Sequence, residues 1–155
     1  MKIIILENIR SAYNVGAIFR TADASGVDKI FLIGYTPTPI DRFGRPQPEI
    51  KKTSLGASEY IDWEHAESIN SVIESLKKIG TEVVAIEINN HSESLVDYVP
   101  KEKVAYVMGN EVEGVSEVAL RLSDQVRHLP MLGKKESLNV SVTAGIVMYH
   151  DFYKK

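Results

Sequence analysis

The stretch Arg127–Lys155, RHLPMLGKKESLNVSVTAGIVMYHDFYKK, decides how the rest of the chain is read. It opens on a short apolar run ending in Leu129-Pro130-Met131 and crosses a polar loop with Gly133, Lys134 and Lys135. It then enters Ser137-Leu138-Asn139-Val140-Ser141 and an apolar run through Tyr149. Ser137 and Asn139 have side chains that accept hydrogen bonds from the unpaired N–H groups of a helix start. A helix entered from a tight loop is also a seat for a polar ligand. Leu138, Val140, Val142, Ala144, Ile146 and Met148 alternate with smaller or more polar residues, which is a strand period. The run is too long for an ordinary strand, and it closes on Lys154-Lys155, as helices tend to. We read a buried C-terminal helix; taken alone, it is a core helix with a capped start.

Working outward, Lys2–Leu6 is an apolar, β-branched first strand. Asn14–Ser25 has apolar residues at helical spacing (Val15, Ile18, Phe19, Ala22), with Asn14 as a candidate cap and Gly26 closing the helix. Lys29–Ile33 is a second strand, so the first thirty-odd residues form a βαβ unit and imply a parallel sheet. A proline- and glycine-rich loop follows over Gly34–Pro48. Beyond it come a helix over Ile69–Ile79, a strand from Glu82 to Ile88, and a strand over Val104–Met108. A short helix capped by Ser116 and a last strand, Gln125–Leu129, complete the series. Five strands alternating with helices make a mostly parallel α/β sheet, whose ligands bind beyond the carboxyl ends of the strands. Asn89-Asn90-His91, Gly109–Gly114 and Met131–Asn139 are the polar loops at such ends.

The 155 residues fit one domain, 1–155, with no separate second domain expected. Composition is that of a soluble globular protein, 44% hydrophobic and 25% charged. There is no cysteine, which removes disulfides and thiolate chemistry. The apolar start is too short for a membrane span or signal peptide, so a cytoplasmic location is expected. The net charge of −3 excludes polyanion binding through bulk charge; such a partner must meet a local patch or one shared by two subunits. The four histidines lack metal-ligand spacing, so no metal is expected.

Gly109-Asn110-Glu111-Val112-Glu113-Gly114 is neither a dinucleotide fingerprint nor a P-loop. It is either a tight turn with solvated carboxylates or a backbone cradle for a ligand. Arg20 is either a surface charge or a bidentate phosphate clamp, and it is too basic to be an ordinary general base. Trp63 and most tyrosines suit packing better than base stacking. Arg42, Arg45, Lys51 and Lys52 are a solvated loop or a phosphate contact.

The order of the motifs adds what none of them carries alone. N-x(5)-N-x-G-x(3)-R over Asn8–Arg20, G-N-E-x-x-G over Gly109–Gly114, and L-P-M-x(5)-S-L-N-V-S over Leu129–Ser141 resemble the SpoU family. These are RNA ribose 2′-O-methyltransferases of the knotted SPOUT class. The resemblance implies a deep C-terminal trefoil knot, a rare exception to unthreaded topology. It implies S-adenosyl-L-methionine as cofactor, surrounded by Ile86, Gly109, Leu129, Met131, Ser137, Leu138 and Asn139. Arg20 matches the arginine tied to activating the ribose hydroxyl, with Asn14, Glu111 and Asn139 at the other polar active-site positions. It further implies a homodimer acting on tRNA or rRNA, tRNA being the first choice for so minimal a chain. The RNA surface would then draw on Arg10, Arg42, Arg45, Lys51, Lys52, Lys134 and Lys135. The competing expectations are a non-catalytic RNA-binding knotted dimer and a base-directed RNA methyltransferase.

Overall fold

The computed structural model describes residues 1–154. In chain order the elements are β1 (Lys2–Glu7), α1 (Ala12–Ser25), β2 (Lys29–Ile33), α2 (Pro48–Ser54), β3 (Asp62–Ala66) and α3 (Ile69–Lys78). They continue with β4 (Glu82–Ile86), β5 (Glu93–Ser94), β6 (Val104–Met108), α4 (Glu117–Leu122), β7 (Gln125–His128) and α5 (Val140–Lys154). Lys155 of the expected terminal lysine pair lies outside the described residues.

The strands form one seven-stranded sheet in the order β3-β2-β1-β6-β4-β7-β5, and every pairing is parallel. Parallel strands covered on both faces are apolar on both faces. Accordingly Ile4, Leu6, Ile30, Leu32, Val84 and Tyr106 pack with α1 and α5 on one side, through Ile18, Phe19, Ala144 and Val147. The alternate residues Ile3, Ile5, Phe31, Val83 and Val107 pack with α3 and α4 through Ile73, Leu76 and Ala119. Full burial of each large aliphatic side chain contributes about 1.5–3 kcal/mol, whereas one helix cap contributes about 1. The apolar runs therefore dictate the sheet, and the caps adjust where its helices begin.

The expected five strands become seven. β3 is an edge strand of sequence DWEHA with only Trp63 and Ala66 partly buried. It has no apolar alternation to reveal it, and Lys29 of β2 anchors its acids, 3.0 Å from Glu64 and 3.3 Å from Asp62. β5 is two residues long. The helix that follows the Gly34–Pro48 loop, α2, starts on Pro48 at a first-turn position where a missing N–H costs nothing.

Two expectations about helices are corrected. The cap of α1 is Ser11, not Asn14: the Ser11 side chain accepts from the Asn14 N–H at 3.2 Å, which leaves the Asn14 amide for other partners. And α5 is buried on one face only. Val140, Ala144, Val147 and Met148 face the core, while Val142 and Ile146 are 50% and 42% exposed. Apolar residues on both faces erase the helical period, which is why this stretch resembled a strand.

The order in which strands are added reverses at β1: β2 and β3 extend the sheet to one side of it, and β6, β4 and β7 lie on the other. The carboxyl ends beside such a reversal are where α/β sheets bind ligands.

Candidate functional site

A cleft of about 440 Å³ opens at the carboxyl ends of β4, β6 and β7. Ile86, Gly109, Leu129, Met131, Ser137, Leu138 and Asn139, all expected around a cofactor, line it, together with Glu87, Ile88, Met108, Asn110 and Val140. Its walls are aliphatic and thioether side chains plus the main chain of the loop from Leu129 to Asn139. Among the described residues, no backbone hydrogen bond outside helices and strands engages residues 129–138. Their N–H and C=O groups are free to meet a ligand, the arrangement needed to read an adenine edge and an amino-acid head through main chain.

The loop between β6 and α4 is folded on itself. Asn110 is buried and its amide is fully used. It donates to the Asn8 carbonyl at 2.9 Å and the Tyr35 hydroxyl at 2.8 Å, and it accepts from the N–H groups of Val112 and Glu113 at 2.8 Å each. Gly109 has no room for a Cβ, which would collide with the backbone of Gly114 and Val115. The glycine thus serves close approach, but of the loop to itself as well as of anything in the cleft. Glu87 supports the loop from β4, accepting from Val115 N–H at 2.9 Å. Glu7 at the end of β1 holds the start of α4, through Ser116 N–H at 3.0 Å and its hydroxyl at 2.6 Å.

Glu111 leaves this loop to meet the start of α1. It accepts from Arg10 N–H at 2.9 Å and Ser11 N–H at 3.2 Å. Burial pushes its carboxyl up, but the backbone donors of Arg10, Glu111 itself and Ser11, with the Asn14 amide, outweigh that. The carboxyl lies below its ordinary 4.5. A carboxylate at a helix N-terminus is favoured by the helix dipole as well. Asn14 then donates to Glu111 at 3.4 Å and accepts from the Asn139 amide at 3.2 Å. Asn139 caps α5: its Oδ1 accepts from Ser141 N–H at 2.8 Å and from the Ser141 hydroxyl at 2.6 Å.

The structure therefore brings three of the expected polar residues, Asn14, Glu111 and Asn139, into one chain of contacts at the mouth of the cleft. Arg20 is not brought to it. It is exposed on α1 and does not line the cleft. It lies six positions beyond Asn14, about 9 Å along a helix. Its neighbour Thr21 faces Gly145, well into α5. Asn8, Asn110 and Glu87 were missed as site residues. Asn110 stands beside Gly109 at a strand end, which was the available signal, and Asn8 is the first residue of the first motif. Nothing in the sequence distinguished Glu87. Among the described residues there is no cluster of three or more metal-ligating side chains, and no helix is long and apolar enough to cross a membrane.

Residues 1–149 match the SpoU rRNA Methylase family. The chain belongs to that family. A curated SpoU-type relative, the 23S rRNA (guanosine-2′-O-)-methyltransferase RlmB of Neisseria meningitidis, is 30% identical over 146 residues. That is 94% of this chain and 56% of the relative, so the chain spans little more than half of that enzyme. An AdoMet-bound rRNA methyltransferase from Sinorhizobium meliloti superposes with a TM-score of 0.86 at 27% identity. The match covers 98% of this chain and 56% of that one. A structure concerned with 2-OH methylation of C/U34 on tRNA superposes at 0.84 with 25% identity, over 99% of this chain and 95% of the other. The α/β fold with its parallel sheet is thus that of SpoU-family structures.

Proposed function

We propose that the protein is an S-adenosyl-L-methionine-dependent RNA ribose 2′-O-methyltransferase, acting on tRNA or rRNA with tRNA as first choice. The observation that carries this reading is the cleft itself. Free main-chain groups of the Leu129–Asn139 loop line one wall, and the Glu111–Asn14–Asn139 chain of contacts stands at its mouth. The donor set fits the cofactor: apolar walls from Ile86, Leu129, Met131 and Leu138 for the adenosine, and backbone groups near Gly109, Ser137 and Asn139 for its polar edges. When bound, S-adenosylmethionine supplies an electrophilic methyl group on sulfur, which passes in line to an oxygen nucleophile.

The chain's own residues do the positioning. Asn139 and Asn14 fix each other and offer amide groups where a ribose hydroxyl would enter. Glu111 keeps the start of α1 in place. Arg20 remains protonated and acts as a bidentate clamp on a phosphate beside the reacting ribose. Because it lies outside the cleft of its own chain, Arg20 serves the cleft of a partner in a homodimer. Such a dimer is supported by the uncovered apolar stripe of α5, Val142, Ile146 and Tyr149. In the same reading the segment after β7 threads a loop to form the trefoil knot. This is supported by α5 packing on α1 and by the buried contact from the Lys2 ammonium to the Met148 carbonyl, at 3.0 Å.

The test is incubation with radiolabelled S-adenosylmethionine and total RNA, followed by alkaline hydrolysis. Label in alkali-resistant dinucleotides is the expected outcome. Label in alkali-labile nucleotides identifies a base-directed enzyme, and tight RNA binding without any label identifies a non-catalytic dimer. Arg20→Ala should lose turnover while calorimetry finds cofactor affinity nearly unchanged; a matching loss of affinity contradicts its assigned place.

A further inference from the structure

Beside the cleft lies a larger groove, about 690 Å³, between the Tyr35–Pro48 loop and the edge strand β3. The chemistry proposed above makes no use of it. Tyr35 and the half-buried Trp63 give it aromatic walls, Pro37, Pro46 and Pro48 are apolar lining, and Arg42 stands at it with a positive charge. Asp41 shapes the loop: it accepts from the N–H groups of Phe43 at 2.8 Å and Arg45 at 2.9 Å and pairs with the Arg45 guanidinium at 2.9 Å. That pairing neutralises Arg45. Among the described residues Arg42 has no carboxylate partner, and its guanidinium lies 4.8 Å from the ring of the exposed Phe43. One hydrogen bond links the groove to the cleft: Tyr35 lines the groove, and its hydroxyl accepts at 2.8 Å from the amide of Asn110, which lines the cleft.

We propose that this groove receives one unpaired nucleotide of the RNA substrate, adjacent to the nucleotide presented to the cleft. The inference rests on the methyltransferase reading and adds to it the site that selects sequence context. Single-stranded RNA is recognised by splaying bases onto aromatic faces, with guanidinium groups on the flanking phosphates. A concave site with aromatic and proline walls, polar edges from Thr38, Gln47 and His65, and an unneutralised arginine at its margin has that composition. The Tyr35–Asn110 contact sets the groove beside the cleft, so that a single strand with its ribose at the cleft can lay a neighbouring base in the groove.

Trp63 is the only tryptophan in the chain, so intrinsic tryptophan emission reports on this groove alone. The experiment titrates the full-length protein, saturated with S-adenosylmethionine, with single-stranded U6 and A6 hexanucleotides, an abasic hexamer and inorganic tripolyphosphate. Binding of each oligonucleotide is followed in parallel by fluorescence anisotropy of an end label. Base-bearing hexamers are expected to change Trp63 emission saturably, and the abasic hexamer and tripolyphosphate are not. Arg42→Gln should weaken binding roughly fivefold to tenfold while leaving the full amplitude of the emission change. Equal response to the abasic hexamer, or RNA binding with Trp63 emission unmoved, overturns the proposal. Calorimetry with S-adenosylmethionine and the methyl-incorporation assay keep the two ideas apart. A protein that methylates RNA while Trp63 stays blind to it loses only the groove; one that neither binds the cofactor nor transfers methyl loses the function as well.

Discussion

Asn110 organises the site at the scale of a single side chain. Its amide ties β6 to the residues after β1 and to the start of the Tyr35 loop, and every donor and acceptor it owns is used. Removing a buried partner leaves its neighbours' polar groups unpaired, so Asn110→Ala should cost about 2–3 kcal/mol in urea unfolding. It should also weaken cofactor binding, because the loop it folds is a wall of the cleft. Glu111 gives a pH-dependent counterpart. Its carboxyl titrates below its ordinary 4.5 in the folded chain, so its anchoring is fully present above that value and is lost as pH falls through the lower folded one. Glu111→Gln should therefore flatten the acid limb of the stability-against-pH curve and leave neutral pH nearly unaffected in slope. A parallel acid limb in the variant would show that Glu111 contributes nothing there. The sequence brought Asn14 into view as a candidate cap and a motif position, and Glu111 as part of the Gly109–Gly114 motif. That the Ser11 hydroxyl takes over the cap, and so releases Asn14 toward Asn139, depends on which of two polar residues three positions apart enters the helix first, and local propensity does not separate them.

Among the elements, β1, β2, β4 and β6 were legible within two residues, because buried parallel strands are continuous apolar runs. α3 was legible because Ile69, Val72, Ile73 and Leu76 keep the period of a one-sided helix. β3 and β5 were not, since an exposed edge needs no apolar residues and two residues carry no period. α5 was ambiguous for the opposite reason, having apolar residues all round. Its outer face carries Val142, Ile146, Tyr149 and Tyr153, spaced at four, three and four residues, a stripe along one side of the helix. Ile146→Lys places a charge in the middle of that stripe without touching the core face. It should convert a dimer into monomers by sedimentation, leave the far-ultraviolet circular dichroism intact and abolish methyl transfer. A monodisperse monomer from the unmodified chain would remove the dimer from the mechanism. Gly16 marks another contact between elements: a Cβ there would run into Ile50 and Thr53 of α2, so this glycine lets two helices touch.

For the whole molecule, a net charge of −3 means that the proposed RNA substrate would have to be met by local groups against an unfavourable background. The exposed cations Arg10, Arg42, Lys134 and Lys135 lie on three separate loops, and Lys51 and Lys52 lie on α2. The logarithm of the RNA association constant should fall with the logarithm of salt concentration with a slope of about −2 to −4, a handful of phosphate contacts. A slope near zero would mean that phosphate contacts are not what holds the RNA. The fold class was legible because alternating strands and helices of this spacing have few parallel solutions. The path of the last segment was not, because composition and period carry no information on how a segment without strands crosses the sheet.

All seven strands precede residue 129, whereas the Leu129–Asn139 wall of the cleft and α5 follow it. A growing or clipped polypeptide can thus possess its entire sheet and still lack one wall of the cleft. The strip that separates frame from workshop, around Leu132 at 97% exposure, is open to proteases. Methyl-donor binding across that strip would protect it from cleavage, so resistance to nicking becomes a readout of whether assembly has been finished.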